Sequence, residues 1–342
     1  MANHPEYGGQ QLALFRASGR EKFMPELNRN PVQVTRIPDE SKKSLIKKDL
    51  VRNRFIYLML VPVLFYYAVF HYGPMYGLLI AFKDYGIADG VWNSPWVGFT
   101  HFQNFFESPY FWRLLRNTLM ISLYELLFAF PAPIILALLL NEIRLMFFKR
   151  VVQTISYLPH FISIVVVAGM LVDFFARDGL INNFLGFFGL EPTAFLQESE
   201  WFRSIYVSSG IWQGIGWGSI IYLAAMSSID PTLYDAARID GAGRWKQTLH
   251  ITISGIMPTI VILFILNVGT MLAVGSEKII LLYNPLTYET ADVISTYVYR
   301  KGILGADFGY STAVGLFNSV VSFILLILAN TVSKRVSEHR LW

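Results

Sequence analysis

Six apolar stretches, each long enough to cross a lipid bilayer, constrain the fold of this chain more than any other feature. A helix needs about 20 mostly apolar residues to span a hydrocarbon core of about 30 Å. The stretches are 55–72, 117–140, 154–175, 204–228, 257–275 and 308–331. Only 15% of the 342 residues are charged, against about 25% in soluble domains. The sequence therefore predicts an all-α, polytopic membrane protein with six transmembrane helices in one domain, 55–331.

The distribution of Lys and Arg predicts the orientation of these helices, because cytoplasmic loops carry an excess of both residues. If the N-terminus is cytoplasmic, the segments on its side hold 20 of the 28 Lys and Arg residues, and 11 of these precede Phe55. We therefore expect a basic cytoplasmic tail over 1–54 and a second cytoplasmic tail over 332–342.

Helix breakers and small residues interrupt several predicted spans. The breakers in the second and third spans include Pro131, Pro133 and Pro159. A proline inside a helix removes a backbone donor and kinks the helix, which neighbouring protein can accommodate in lipid. Gly210, Gly214 and Gly218 recur every four residues in the fourth span. This spacing of small residues allows helix backbones to approach closely.

Polar side chains within spans usually face protein or a water-filled cavity. The candidates for a substrate path are Gln213, Trp217, Asn267 and Thr270. Gln213 and Trp217 are four residues apart and therefore share one helix face. An amide beside an indole suits a sugar, because the amide bonds hydroxyls and the ring stacks on C–H groups. The alternative for each residue is an interhelical hydrogen bond or ordinary packing.

Two segments on the side opposite the termini are rich in apolar residues. Residues 83–114 contain many tryptophans and phenylalanines, which favour the headgroup region. Residues 179–201 carry an apolar face that suits a helix lying on the membrane. Packing against the ends of the spans explains both patterns equally well.

The segment 229–256 between the fourth and fifth spans carries clear helix signals. Asp230 and Pro231 are typical of an N-cap and a first helical position, and Asp240-Gly241 is a turn signal. We expect a helix to about Ile239 and a second short helix from about Gly243 to His250. Because this unit sits between two spans, a DNA-binding helix-turn-helix is excluded, and no nucleic-acid partner is predicted.

This segment resembles the E-A-A-x-x-D-G-A loop of binding-protein-dependent ABC importer permeases, with Asp235-Ala236-Ala237 followed by Asp240-Gly241-Ala242. The resemblance covers about residues 50–342 and implies a type I, maltose-permease-like fold. The flanking runs YLPHFIS, WGSIIYLAA and LLYNPLTYETADVISTYVYR are similar to the polysaccharide–oligosaccharide permease subclass, which includes importers of uronate oligosaccharides.

The resemblance implies that this loop contacts a cytoplasmic ATPase. The residues that it assigns to coupling are Asp235, Ala236, Ala237, Arg238, Asp240, Gly241, Ala242 and Leu249. Two positions depart from the family pattern: Asp235 stands where Glu is usual, and Ser254 where Pro is frequent. The first shortens a side chain but keeps its charge, and the second favours a helical end to the loop.

The partners follow partly from what the sequence lacks. It contains no G-x-x-x-x-G-K-[ST] phosphate loop, so a separate chain is expected to bind ATP. The resemblance implies a homologous second permease subunit, a cytoplasmic ATP-binding subunit dimer and an extracytoplasmic sugar-binding protein, in a bacterial cytoplasmic membrane with lipid around the spans. No cofactor is implied, and the histidines lack metal-ligand spacing.

Two other classes of membrane protein compete with this interpretation. An ion-gradient-driven secondary transporter is expected to show inverted repeats and intramembrane carboxylates, but Glu125 is the only carboxylate near the middle of a span. An intramembrane hydrolase needs a nucleophile and a base, for which His160 and Ser163 are the only candidates. The sequence fixes neither the sugar nor the identity of the second permease.

Overall fold

The structure, a computed structural model, describes residues 48–336, with side chains to Lys334. The chain divides into two compact units, 1–67 and 68–342. Most of the predicted tail over 1–54 and the last six residues lie outside the described range. Within that range the chain is helical apart from turns and one isolated antiparallel bridge between Lys83 and Trp96. The all-α prediction is therefore confirmed.

The first unit contributes a helical stretch over 48–52 and then α1 (Arg54–Tyr67). The second unit begins with a π-helical turn and a 3₁₀ segment, Gly73–Phe82. The α-helices that follow are α2 (Gly90–Asn93), α3 (Thr100–Glu107), α4 (Phe111–Tyr124), α5 (Pro131–Glu142), α6 (Met146–Tyr157), α7 (Ile164–Phe174), α8 (Leu180–Gly186), α9 (Ser199–Ser227), α10 (Pro231–Ile239), α11 (Arg244–Gln247), α12 (Ile253–Thr270), α13 (Ser276–Leu282), α14 (Tyr288–Ala291), α15 (Ile294–Tyr299) and α16 (Phe308–Val336).

Among the described residues, four helical segments are long and apolar enough to cross a membrane, and one bent pair makes a possible fifth. The four are Arg54–Phe82, Phe111–Glu142, Arg244–Thr270 and Phe308–Lys334. The predicted fourth span corresponds to α9, which is long enough at 29 residues but is not among the most apolar helices. Its first turns carry Glu200 and Arg203, and several serines and glycines follow. The structure is consistent with six spans.

Two predicted spans differ in shape from a simple helix. The third, 154–175, is bent by 99° between Met146–Phe161 and Ile164–Phe174, and Pro159 lies in the 3₁₀ turn at this bend. The fifth was expected over 257–275 after a separate short helix. The structure corrects this, because helical backbone runs from Arg244 to Thr270 through Ser254.

The second predicted span is also interrupted, at a point just before its two prolines. A π-helical turn, Glu125–Ala129, separates α4 from α5. Pro131 is the first residue of α5, where its missing N–H has no partner to lose. The predicted break in this span therefore lies immediately before the prolines.

The second unit packs around α9, which contacts α5, α6 and α12. Gly216 makes the tightest approach: a Cβ there would overlap the backbone carbonyl of Ser156 in α6. A Cβ at Gly218 would lie 2.9 Å from Pro133 of α5, whereas one at Gly214 would meet nothing within 4 Å. Close packing thus explains Gly216 and Gly218, but Gly214 faces open space.

Some aromatic side chains of the segment 83–114 are buried, and others are exposed. Phe105 is 1% exposed and sits in a cluster with Phe111, Tyr310 and Val314. Trp92, by contrast, lies mostly on the surface. The segment predicted to lie on the membrane folds partly into α8, and many of its apolar side chains are also exposed. Packing therefore explains part of both segments, and their location at the membrane surface stays a prediction.

Candidate functional site

The loop between α9 and α12 begins where the sequence predicts. The side chain of Asp230 accepts a hydrogen bond of 2.9 Å from the backbone N–H of Thr232 at the start of α10. This bond stabilises the carboxylate and lowers the pKa of Asp230 below its ordinary value. Pro231 occupies the first helical position. The cap fixes the start of α10, so that three residues, 228–230, separate it from α9.

The turn after α10 depends on one glycine. Gly241 adopts φ +73°, a left-handed conformation that glycine reaches without strain. The N–H of Gly241 donates to the carbonyl of Arg238, and the N–H of Ala242 donates to the carbonyl of Ala237 at 2.8 Å. These two bonds form a Schellman motif, which satisfies the last carbonyls of a helix. The expected turn at Gly241 is thus confirmed.

Side-chain contacts brace α10 against the helix that follows. The hydroxyls of Tyr234 and Thr252 are 3.0 Å apart, and the amide of Gln247 donates to the carbonyl of Ala242 at 2.7 Å. Because Thr252 and Gln247 belong to the continuous helical segment Arg244–Thr270, these contacts connect the loop to a helix that is long and apolar enough to cross a membrane.

The residues predicted for coupling lie together on this unit. Six are exposed, namely Asp235, Ala236, Arg238, Asp240, Gly241 and Leu249. Ala237 and Ala242 are half-buried because their backbones close the turn. Arg238 and Asp235 form an ion pair of 2.9 Å within α10. The structure brings all eight residues onto one compact unit, and their contact with an ATPase stays a prediction.

Two further residues on this unit escaped the sequence analysis. Ile239 is 87% exposed and Trp245 is 79% exposed. Large apolar side chains on a polar surface mark sites of protein interaction. Their apolar character within a polar loop was the available signal, but Ile239 was read only as a helix end.

Three of the four residues predicted for a substrate path line one cavity. Trp217 of α9 and Asn267 and Thr270 of α12 border a space of about 700 Å³, together with Phe130 and Pro133 of the second span. Asn267 and Thr270 also line a smaller adjoining cavity with Glu125. Gln213 does not line either space.

Trp217 and Gln213 both contact the bend in the third span. The imidazole of His160 stacks flat on the indole of Trp217, with ring centroids 4.7 Å apart. The amide of Gln213 donates a 3.0 Å hydrogen bond to the carbonyl of Ile162. One face of the indole is therefore covered, and the amide nitrogen of Gln213 makes the interhelical bond that was its alternative role.

Residues 129–338, which contain the loop and most of the cavity lining, match the family described as "Binding-protein-dependent transport system inner membrane component". The chain belongs to this family. It is 47% identical to Protein LplB of Bacillus subtilis (strain 168), over 86% of this chain and 92% of LplB. It is 45% identical to the polygalacturonan/rhamnogalacturonan transport system permease protein YteP of the same organism, over 89% and 94% of the two chains.

Solved structures agree with this assignment. A crystal structure of a bacterial ABC transporter involved in the import of the acidic polysaccharide alginate contains a similar chain. The TM-score is 0.80 at 48% identity, covering 86% of this chain and 99% of that one. A crystal structure of a bacterial alginate ABC transporter in complex with an alginate pentasaccharide-bound periplasmic protein also contains a similar chain, at 47% identity and a TM-score of 0.80. This chain is therefore a permease subunit of an ABC importer and not an enzyme.

The positions of His160, Ser163 and Glu125 test the two other classes of membrane protein considered from the sequence, an intramembrane hydrolase and an ion-gradient-driven secondary transporter. Ser163 caps α7, where its hydroxyl accepts from the N–H of Val166 at 3.3 Å, and His160 is stacked on Trp217. Within residues 48–336 the structure shows no hydrogen bond between His160 and Ser163, so they do not form a nucleophile–base pair. Glu125 lines the small cavity beside Asn267, but family membership assigns the permease to ATP-driven import.

A charged network lies at the end of α9 remote from the loop. Asp292 is fully buried and accepts from Arg113 at 3.2 Å and from Arg300 at 2.7 Å. Arg116 pairs with Glu289 at 2.7 Å on the surface. Buried carboxylates are stable only when paired, so this network fixes the segment before α15 to α4. The sequence analysis missed it because the partners are far apart in the chain.

Proposed function

We propose that this permease subunit carries an acidic oligosaccharide, with uronate units, across the bacterial cytoplasmic membrane. It works with a homologous second permease, a dimer of ATP-binding subunits and an extracytoplasmic sugar-binding protein. Both termini lie in the cytoplasm. The observation that carries the proposal is the braced loop around Gly241, because a transport subunit without a phosphate loop needs a rigid surface for its ATPase.

The loop is suited to that task by shape and by chemistry. The Schellman motif and the bond between Tyr234 and Thr252 hold α10 at a fixed angle to the segment leading into α12. Small side chains at Ala236 and Gly241 permit close approach, and the exposed Ile239 and Trp245 offer apolar anchors. Aromatic anchors of this kind often dominate interface energetics. Closure of the ATPase dimer would then move α12.

The cavity beside Trp217 supports a path along α9. Its lining combines an indole, an amide and a hydroxyl with apolar walls, as in sites that bind small polar ligands. Gly214 lies about one turn further from the loop on the same face and has open space in place of a side chain. We therefore place the cargo along the α9 face that carries Gly214 and Trp217.

The cargo class comes from the relatives. YteP is named for polygalacturonan and rhamnogalacturonan transport, and the structural neighbour imports alginate, which is an acidic polysaccharide. Identity of 45% to 48% over more than four-fifths of the chain favours a shared class of sugar. A uronate oligosaccharide of a few units is accordingly the proposed substrate.

The proposal is tested by reconstitution of the complete importer in proteoliposomes. We expect ATP-dependent uptake of labelled trigalacturonate that requires the binding protein and the ATPase subunit. A matched preparation without this permease should show neither uptake nor sugar-stimulated ATP hydrolysis. Uptake driven by an ion gradient in the absence of ATP would overturn the mechanism. Failure to transport trigalacturonate or alginate oligosaccharides, with robust transport of a neutral sugar, would overturn the cargo class.

A further inference from the structure

A second cavity lies on α9 at the end remote from the loop. It has a volume of about 590 Å³ and is rich in hydroxyl groups. Its polar lining comprises Ser199, Glu200, Arg203, Ser204, Ser208 and Thr290, and its aromatic lining comprises Tyr124 and Phe128. Hydroxyls, one guanidinium and two aromatic rings around a space of this size match the chemistry of an acidic sugar.

Arg203 is held in place by neutral groups. Its Nη2 donates to the side-chain oxygen of Asn117 at 2.7 Å, and its Nε donates to the carbonyl of Thr290 at 3.4 Å. Asn117 is itself fully buried and donates to the carbonyl of Asp292. The guanidinium is therefore fixed in direction by hydrogen-bond partners that are themselves neutral.

The other arginines at this end of the permease have carboxylate partners. Arg113 and Arg300 share Asp292, and Arg116 pairs with Glu289. Among the residues that the structure describes, Arg203 has no carboxylate at ion-pair distance. Glu200 also lines the cavity but is exposed one turn before Arg203 on α9. Of these four arginines, Arg203 is therefore the one that lines the cavity without a carboxylate at ion-pair distance.

We propose that this cavity binds the carboxylate of one uronate unit as the oligosaccharide enters the path. The guanidinium of Arg203 receives the carboxylate, since arginine matches carboxylate geometry better than lysine does. Ser204 and Ser208 are placed to bond ring hydroxyls, and Tyr124 packs against the sugar. This inference rests on the proposed function, because it names the site that selects an acidic cargo.

The position of the cavity on α9 fits an entry site. Arg203, Val207, Gly214 and Trp217 recur at helical spacing, so the cavity and the Trp217 cavity open on the same face of α9. Gly214 lies between them with nothing within 4 Å of its missing side chain. A sugar released by Arg203 therefore meets no side chain at Gly214 on its way toward Trp217.

The test compares trigalacturonate with its methyl ester, which differs only in charge and one small group on each unit. The complete transporter, assembled from both permeases and the ATPase dimer, is titrated with each sugar, and uptake is measured with saturating binding protein. We expect Arg203→Gln to weaken binding of the acid at least tenfold and to leave the ester within twofold. Arg203→Lys should fall between, because it keeps the charge but loses the planar fork.

Two variants control for folding and for general electrostatics. Glu200→Gln leaves every partner of Arg203 in place and should strengthen binding of the acid. Arg116→Gln removes an exposed, paired arginine and should change the preference for the acid less than threefold.

An equal loss of acid and ester in Arg203→Gln would overturn the inference and make Arg203 a purely structural residue. So would an unchanged acid preference in both Arg203→Gln and Glu200→Gln while the native complex still imports trigalacturonate, an outcome that leaves the proposed function intact. If the Arg203 variants do not assemble, absence of any effect in Glu200→Gln is itself decisive against the site. Failure of the native complex to import any uronate sugar would instead reject the proposed function.

Discussion

A single backbone angle, φ +73° at Gly241, determines the direction of the chain after α10. No atom lies within 4 Å of the position that a Cβ would occupy there, so space does not limit the residue type. The restriction is conformational, because only glycine and, less well, asparagine adopt left-handed backbone angles readily.

Gly241→Val is expected to stop transport while the permease still inserts. A β-branched residue at this angle costs about 1–3 kcal/mol, which is enough to open the turn. We expect weaker co-purification of the ATPase subunit and loss of sugar-stimulated ATP hydrolysis. Gly241→Asn is the matched control and should keep more than half of the uptake. Equal and normal uptake by both variants would show that the turn does not couple the ATPase.

Trp217 presents one indole face to His160, and its side chain borders the larger cavity. If the remaining surface packs against sugar, Trp217→Ala should weaken handling of the cargo by about 1–2 kcal/mol, roughly 5- to 30-fold. Trp212→Ala is the control, because Trp212 lies on α9 but lines a different cavity. Binding and uptake of trigalacturonate distinguish the two, and equal effects would assign Trp217 to packing alone.

At the scale of single residues, the sequence predicts a role that depends on neighbouring positions, but it does not predict a contact with a residue far away in the chain. Asp230 and Gly241 could be placed from the sequence because an N-cap and a left-handed turn involve neighbours within a few positions. The partner of Gln213 could not, because Ile162 exposes its carbonyl only where the third span bends. Arg203 was missed for the same reason, since Asn117 and Thr290 lie 86 and 87 positions away.

Between elements, the packing of α9 against α6 depends on the absence of one methyl group. A Cβ at Gly216 would overlap the carbonyl of Ser156, whereas one at Gly214 would meet nothing. The regular spacing of Gly210, Gly214 and Gly218 includes one close contact, at Gly218, and one open position, Gly214. The tightest contact lies outside that spacing, which only the arrangement of helices reveals.

Gly216→Ala is expected to destabilise the permease, because α6 and α9 must move apart to accept the methyl group. Overpacking of this kind costs about 1–3 kcal/mol. The melting temperature of the purified complex should fall, whereas Gly214→Ala should leave it unchanged or slightly raised. Tryptophan fluorescence during heating measures both. A melting temperature for Gly216→Ala equal to that of the native complex would contradict the close contact.

Helix boundaries could be predicted from the sequence only where local signals mark them. The start of α10 was predictable because Asp230 and Pro231 are strong signals. The continuity of Arg244–Thr270 was not, because no local signal shows that the short helix predicted to end near His250 continues into the span predicted from residue 257. Pro258 lies inside α12, where the π-helical turn over Thr248–Thr252 precedes it by one turn. Ser254, which stands where Pro is frequent in the family, correctly predicted a helical end to the loop.

For the whole molecule, the distribution of charges predicts an orientation that the fold itself does not define. Labelling with a membrane-impermeant maleimide tests it, since the chain contains no cysteine. In intact cells, or in spheroplasts if an outer membrane is present, Trp92→Cys should be labelled and Gly241→Cys should not, until the membrane is permeabilised. Both positions are exposed in the structure, so accessibility within the chain does not separate them. Labelling of position 241 in sealed cells would show that the predicted orientation is wrong.

The bend in the third span has a consequence for which sequences this permease tolerates. At the bend, the carbonyl of Ile162 receives its hydrogen bond from Gln213 of another helix, and an unsatisfied carbonyl in a membrane costs several kcal/mol. Position 213 should therefore accept other long donors and reject Leu or Met of similar volume. In a saturation-mutagenesis screen for uptake, this preference is opposite to that at exposed apolar positions outside the cavities, such as Phe323 of α16, where apolar substitutions should be neutral.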